Sequence, residues 1–313
     1  MFAYIVRRIL ATIPVMAIVA LFVFSLLYIA PGDPAAVIAG DQATPADVER
    51  IRASLGLDRP FVVRFGEWVF RIIQGDLGLS IFTNLPVTRM IAQRIEPTLS
   101  LMVVTLVLAI TIAVPMGVVA AWKSGSLIDR MVMGFAVLGF SVPVFVVGYL
   151  LAYVFALELD WLPVQGYTPI SNGLWPWFQN LILPAVALGG VYIALIARIT
   201  RATMMEILQQ DYIRTARAKG AGQTTILFLH ALKNAAVPIV TIIGIGLAGL
   251  IGGAVVTESV FAIPGLGRLT VDAILRRDYP VIQGVILLFS FVYVLVNLLI
   301  DLSYTLFDPR IRY

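Results

Sequence analysis

Six apolar stretches, at residues 9–30, 98–121, 131–157, 180–197, 235–257 and 281–300, dominate this 313-residue chain. A helix needs roughly 20 apolar residues to cross a hydrocarbon layer about 30 Å thick, and each stretch reaches or approaches that length. Composition agrees: 60% of the residues are hydrophobic and 13% charged, and the mean hydropathy is +0.96, against about 45–50% and 25% in a soluble domain. A soluble fold has no way to hide so much apolar surface. The expected fold is an all-α membrane protein with six transmembrane helices. The fourth stretch is the shortest and starts near Pro184, so its ends are the least defined.

Arg7 and Arg8 precede the first stretch with no acidic residue before it. That stretch exceeds the apolar region of a signal peptide, about 7–15 residues, and reads as an uncleaved anchor. The positive-inside rule then keeps the N-terminus in the cytoplasm, and six crossings return the C-terminus there. Lys123 and Arg130 fall in the second-to-third connection, and Arg198, Arg201, Arg214, Arg217, Lys219 and Lys233 in the fourth-to-fifth, both cytoplasmic on this reading. The third-to-fourth connection carries Glu158 and Asp160 without a base, as an outer loop should. The fifth-to-sixth is a partial exception, with Arg268, Arg276 and Arg277 against Asp272 and Asp278.

Several classes of function are disfavoured. There is no cysteine, hence no disulfide, thiolate metal site or cysteine nucleophile. His230 is the one histidine, so neither HExxH nor a Ser/His/Asp set can be assembled, and it reads as an interfacial polar side chain. No catalytic residue, cofactor or metal site is expected. The net charge of +4 is spread along span flanks rather than gathered into a nucleic-acid surface. Mid-span ionisable groups that would mark an ion relay are missing; Glu258 and Asp301 lie at window ends, where hydration should make a charge inexpensive. A filter of the TVGYG type is missing too.

Outside the apolar stretches, the segment after the first span holds turn-forming Pro31-Gly-Asp-Pro34. Val48, Ile51 and Leu55 then recur at helical spacing behind a possible Thr44 cap. Phe61, Phe65, Trp68, Val69 and Ile72 form a second apolar stripe, expected to lie on the membrane surface or pack on the spans, or else to dock a soluble partner. In the fifth stretch Gly249 and Gly253 form GxxxG, a helix-packing pattern that lets another helix approach closely. Between the fourth and fifth stretches, Met204, Met205, Leu208, Tyr212 and Ala216 lie on or near one helical face. Arg214, Arg217 and Lys219 lie elsewhere around the helix, and Gly220 breaks it. This is either a docking helix or a basic amphipathic helix bound to membrane lipid.

At these residues the chain resembles the permease subunits of binding-protein-dependent ATP-binding-cassette importers, whose cytoplasmic signature is Glu-Ala-Ala, three residues, then Gly. Arg214-Thr215-Ala216 precedes Gly220 at that spacing, with two of the three leading residues different and the following proline displaced to Pro238. The form is similar to the dipeptide, oligopeptide and glutathione branch. So are Pro31-Gly-Asp-Pro-Ala35, Leu55-Gly-Leu-Asp58, Gly75-Asp-Leu-Gly-Leu-Ser80, Glu258-Ser-Val-Phe261, Pro264-Gly-Leu-Gly267 and Arg277-Asp-Tyr-Pro280.

The resemblance implies a type I importer permease fold. Residues 1–30 would form the N-terminal tip and first helix, 31–97 an extracytoplasmic insert, 98–306 the permease core with a cytoplasmic coupling loop at 198–234, and 307–313 a tail. It also implies that Arg214, Thr215, Ala216, Arg217 and Gly220 contact an ATPase. The implied partners are a second homologous permease, two ATP-binding subunits and an extracytoplasmic substrate-binding protein. ATP chemistry belongs to those partners, since a Walker A loop needs Gly-Lys and the lysines here follow Trp, Ala and Leu. The rival readings are an ion-coupled carrier or channel working without ATPases, and a membrane scaffold.

Overall fold

Removing a backbone from water obliges its N–H and C=O groups to pair within the chain, and helices do this locally. A computed structural model describes residues 2–29, 33–39, 43–54 and 56–307, and their side chains apart from 2–7, 34, 37, 38, 47, 51, 54 and 302–307. The helices are α1(Phe2–Ile29), α2(Pro34–Ala39), α3(Pro45–Ser54), α4(Phe61–Ile73), α5(Val87–Trp122), α6(Leu127–Ser141), α7(Val144–Leu151), α8(Leu174–Leu208), α9(Asp211–Ala218), α10(Lys233–Val260), α11(Leu266–Arg276) and α12(Tyr279–Phe307). Two π-helical segments, Ala152–Glu158 and Thr225–Leu232, extend α7 and lead into α10.

Five helical spans among the described residues are long and apolar enough to cross a membrane: Arg8–Ile29, Val87–Trp122, Leu174–Leu208, Thr225–Val260 and Tyr279–Asp301. The expected single helix over 131–157 is instead a broken pair, Leu127–Ser141 and Val144–Glu158, bent by 102°. Pro143 is the cause. It has no N–H to continue the ladder and forces the residue before it out of the helical region, and Val142 is extended at φ −99 and ψ 123. The fourth stretch, shortest by hydropathy, belongs to a 35-residue helix about 50 Å long at 1.5 Å per residue. It is also the most enclosed span. Hydropathy stopped at polar turns that the helix runs straight through.

One compact unit comprises Ile95–Arg268 and the chain from Leu295. Here α8 is the hub, packing on α10, α6 and α7. Small residues set the close approaches. A Cβ on Gly117 would lie 2.7 Å from the Ala197 carbonyl oxygen, and one on Gly139 would lie 2.9 Å from the Ala194 Cβ. Ala109 and Ala113 of α5 pack on Ile193, Ile196 and Ala197 of α8.

Glu258 departs from expectation. At the end of α10 it is fully buried rather than hydrated, because its carboxylate is taken up by the following turn. It accepts from the Thr98 hydroxyl at 2.5 Å and the Arg268 amide at 3.0 Å, while Thr98 Oγ1 accepts from the Leu266 amide at 2.8 Å. The carboxylate thus lies at the start of α11, where amides lack intrahelical partners. Any Cβ on Gly265 would collide with that carboxylate, and one on Gly267 would sit 2.5 Å from the Val255 Cα. The glycines of Pro264-Gly-Leu-Gly267 are therefore the space in which Glu258 sits.

The second unit comprises Phe2–Arg94 and Leu269–Val294. The apolar stripe of α4 packs on α1: Phe61, Phe65 and Trp68 place their rings 5.3, 5.5 and 5.2 Å from that of Phe24. Two segments far apart in sequence meet where buried Asp278 accepts from the Ser80 hydroxyl at 2.5 Å and the Ile81 amide at 3.3 Å. Gly78 turns at φ +87, its amide held at 2.8 Å by Asp76. Thr44 precedes α3 and its carbonyl accepts from the Val48 amide. Pro31, Gly32, Leu55, the Ile51 side chain and the 307–313 tail expected from sequence lie outside the described residues, apart from Phe307 at the end of α12.

Truncating Glu258 to Ala strands these donors and is expected to destabilise the protein by about 1–3 kcal/mol, read as a lower thermal midpoint in detergent. Gly265→Ala should act in the same direction. Gly252→Ala, where an added Cβ meets nothing within 4 Å, should leave the midpoint near wild type.

Candidate coupling site

Between the fourth and fifth apolar stretches, the chain interrupts its helix at Gln209 and Gln210 and restarts as α9. The expected amphipathic helix is thereby split. Met204, Met205 and Leu208 belong to the end of α8, and only the residues from Asp211 to Ala218 form the separate short helix. Gln210 is extended at ψ 149, and its carbonyl accepts the first amides of α9, those of Ile213 and Arg214. Asp211 in the first turn and Arg217 in the last both suit the helix dipole.

Ile213 is the anchor. It is fully buried among Val118 and Ala121 of α5, Met204 of α8, Ile226 and Leu227 of the π segment, and Ala235 and Ile239 of α10. This one side chain ties α9 to three spans of its unit. Ala216 is half-buried, whereas Arg214, Thr215, Arg217, Lys219 and Gly220 are exposed. Arg214 donates to Asp211 at 3.3 Å, an exposed i,i+3 pair of small energetic weight. Partial desolvation pushes the Tyr212 phenol above its ordinary range.

The end of α9 is a Schellman motif. The Gly220 amide donates to Arg217 O at 2.9 Å and the Ala221 amide to Ala216 O at 3.1 Å. Gly220 holds φ +84, a region that costs another L-residue about 1–2 kcal/mol. Ala221 then packs against the same cluster as Ile213.

A second tie fixes the neighbouring helix ends. Arg201 of α8 pairs with Asp129 of α6 through Nε and through Nη2, the latter at 2.7 Å. Asp129 also accepts from the Gly125 amide at 2.9 Å, and Ser126 caps the Asp129 amide. Sequence reading counted Arg201 only as a loop charge and passed over Asp129 and Ile213. A lone Ile in a basic segment and an Asp at a helix start carry no signal until the fold brings their partners to them. Gly249 and Gly253 face α8 within the same unit: a Cβ on Gly249 would meet Tyr192 Oη at 3.2 Å, and one on Gly253 would meet Leu188 Cδ1 at 2.7 Å. No group of three or more His, Cys, Asp or Glu able to hold a metal occurs among the described residues.

A multi-pass helical core carrying a short, exposed, rigidly anchored helix is the architecture of a type I ABC importer permease. The chain superimposes on a chain of the MetNI methionine ABC transporter, solved in inward-facing conformations, with a TM-score of 0.58. That match has 20% identity and covers 70% of this chain and 96% of that one. The profile described as "binding-protein-dependent transport system inner membrane component" matches residues 113–313, and its N-terminal companion matches residues 1–102. The chain belongs to this family of membrane permeases, which work with a substrate-binding protein and with separate subunits that hydrolyse ATP; it is a transport subunit and not an enzyme.

Among its relatives is a probable peptide ABC transporter permease of Sinorhizobium fredii, 57% identical over 99% of both chains. A glutathione transport system permease of Escherichia coli is 43% identical over the full length of both. A dipeptide transport system permease of Alkalihalophilus pseudofirmus is 40% identical, again over both full lengths.

Replacing Ile213 by Ala removes the anchor, at a local cost of about 2–5 kcal/mol. Amide hydrogen exchange over residues 213–221 should accelerate while the middle of α10 keeps its protection. Unchanged protection in α9 would show that Ile213 does not hold it.

Proposed function

We propose that this chain forms half of the translocation pathway of an ATP-driven importer of di- or oligopeptides or similar small solutes. In this reading it pairs with a second homologous permease, and α9 is the coupling helix that engages an ATPase. The similarity to peptide-, dipeptide- and glutathione-transporter permeases over full chain lengths supports the substrate class.

One observation carries the coupling role. The helix is pinned from beneath by Ile213 while Arg214, Thr215 and Arg217 stand exposed, and Gly220 stops it with a rigid turn. Force applied to such a helix reaches α5, α8 and α10 through packed side chains. The Arg201–Asp129 pair passes it to α6, so closure of the ATPases is delivered as rigid-body motion of the spans. Arg214 stands where the family signature has Glu, so any contact made through that position here is cationic.

The basic residues around this end, including Lys123, Arg130, Arg198 and Lys233, support placing it in the cytoplasm with both termini. Residues 31–97 then form an extracytoplasmic insert on the side of the binding protein. The permease core spans 98–306, with its coupling loop at 198–234.

Gly220→Pro tests the coupling role. Proline fixes φ near −65°, cannot adopt the observed +84°, and has no amide for Arg217 O. Peptide uptake in vesicles with the co-expressed ATPases should fall to background while ATP hydrolysis continues and the chain remains inserted. Wild-type uptake at equal expression would sink the assignment. Affinity purification in mild detergent should recover two ATPases and a second permease; recovery of this chain alone under conditions demonstrated to preserve complexes would favour an autonomous carrier.

A further inference from the structure

A cavity of about 620 Å³ opens within the second unit. Its apolar wall is Phe24 and Leu27 of α1 with Trp68 of α4, and its charged lining is Arg59, Arg64 and Arg71 against Glu67 and Asp76. These charges are not equivalent. Arg59 pairs with Glu67 at 3.0 Å, and Asp76 is engaged by the Gly78 amide at 2.8 Å. Arg64 is 8% exposed and has no carboxylate partner among the described residues. It donates to the Tyr28 hydroxyl, and its guanidinium carbon lies 5.2 and 5.8 Å from the Tyr28 and Phe24 ring centroids. Arg71 lines the same cavity and is exposed; it too has no carboxylate partner among the described residues.

A guanidinium that is nine-tenths buried without a counter-ion is costly, and its remaining donors form a planar fork suited to a carboxylate or phosphate. The depth of the cavity indicates which anion. Phe24, Leu27 and Tyr28 occupy the last turns of α1; its apolar window Arg8–Ile29 has 22 residues, about 33 Å at 1.5 Å per residue, which matches the roughly 30 Å hydrocarbon layer and places its last turn at headgroup level. Only 11% of the apolar window of α1 is buried, leaving its flank to lipid. Val62, Phe70 and Ile73 of α4 are likewise exposed apolar side chains.

We infer that this cavity binds the phosphate headgroup of a phospholipid, with Arg64 as its inner ligand, Arg71 at its mouth, and the acyl chains lying along the bare faces of α1 and α4. The aromatic wall of Phe24 and Trp68 takes the glycerol end of the headgroup. Glu67 and Asp76 remain occupied by Arg59 and Gly78 and leave a net positive lining.

The test is native mass spectrometry of the full-length chain, purified in mild detergent, delipidated, and titrated with phosphatidylglycerol, diacylglycerol or inorganic phosphate. One phosphatidylglycerol should be retained per chain and diacylglycerol should not. Arg64→Gln should lower retention at least about tenfold, the loss of a charge-assisted pair of bonds, and Arg71→Gln by a smaller factor. Arg214→Gln, on the exposed basic helix α9, should leave it unchanged. Because Arg64 also packs on Phe24 and Tyr28, the exposed Arg71 carries the test free of folding effects. Equal retention by wild type and both variants would overturn the site, as would equal loss with Arg214→Gln. Displacement of the lipid by inorganic phosphate at comparable concentration would assign the cavity to a soluble anion and overturn the lipid reading.

Discussion

A polar group withdrawn from water must find its partner inside the protein, and in this chain three buried carboxylates meet that demand by joining segments far apart in sequence. Glu258 draws Thr98 and the Arg268 amide to one point. Asp129 fastens α6 to α8 through Arg201, and Asp278 holds the Ser80 turn. Each is worth more as a constraint than as a sum of bonds, because removing one partner leaves the other buried and unsatisfied. The surrounding glycines follow from this. Gly265 and Gly267 are small so that Glu258 fits, and Gly78 takes a left-handed conformation where Asp76 grips its amide.

The same economy of contacts shapes α9. Eight residues make too short a helix to persist alone in water, so its order comes from Ile213 beneath it and the Gly220 turn at its end. A helix held this way can move only with the spans that hold it. That is the mechanical property a permease needs if its partners hydrolyse ATP and it does not. The basic side chains of α9 stand exposed and contribute little to the fold, the Arg214–Asp211 pair being a solvent-facing contact.

Much of this was legible beforehand. The apolar runs announced the spans, but they gave the third as one helix, and only the structure showed Pro143 breaking it with a bend of 102°. The motifs Glu258-Ser-Val-Phe261, Gly75–Ser80 and Arg277–Pro280 carried the resemblance, yet nothing in their spacing said that Glu258 lies buried against Gly265, or that Ser80 meets Asp278 198 positions away. Hydropathy underrated α8, because a window average ends where polar residues begin while the backbone hydrogen bonds continue. It also merged the end of α8 with α9, since helical periodicity carries no mark of a break at Gln209 and Gln210.

Sequence alone determined what is local or compositional: membrane residence, the approximate positions of the spans, the absence of cysteine thiols, and a basic helix stopped by Gly220. Those properties depend on single residues or on averages over one helix. Tertiary structure decided which side chains become anchors and which charges lose their water. Ile213, Asp129, Glu258 and Arg64 are ordinary residues in the linear chain. Their roles arise from burial and from partners supplied by other segments, and burial is a property of the packed assembly of helices rather than of any one of them.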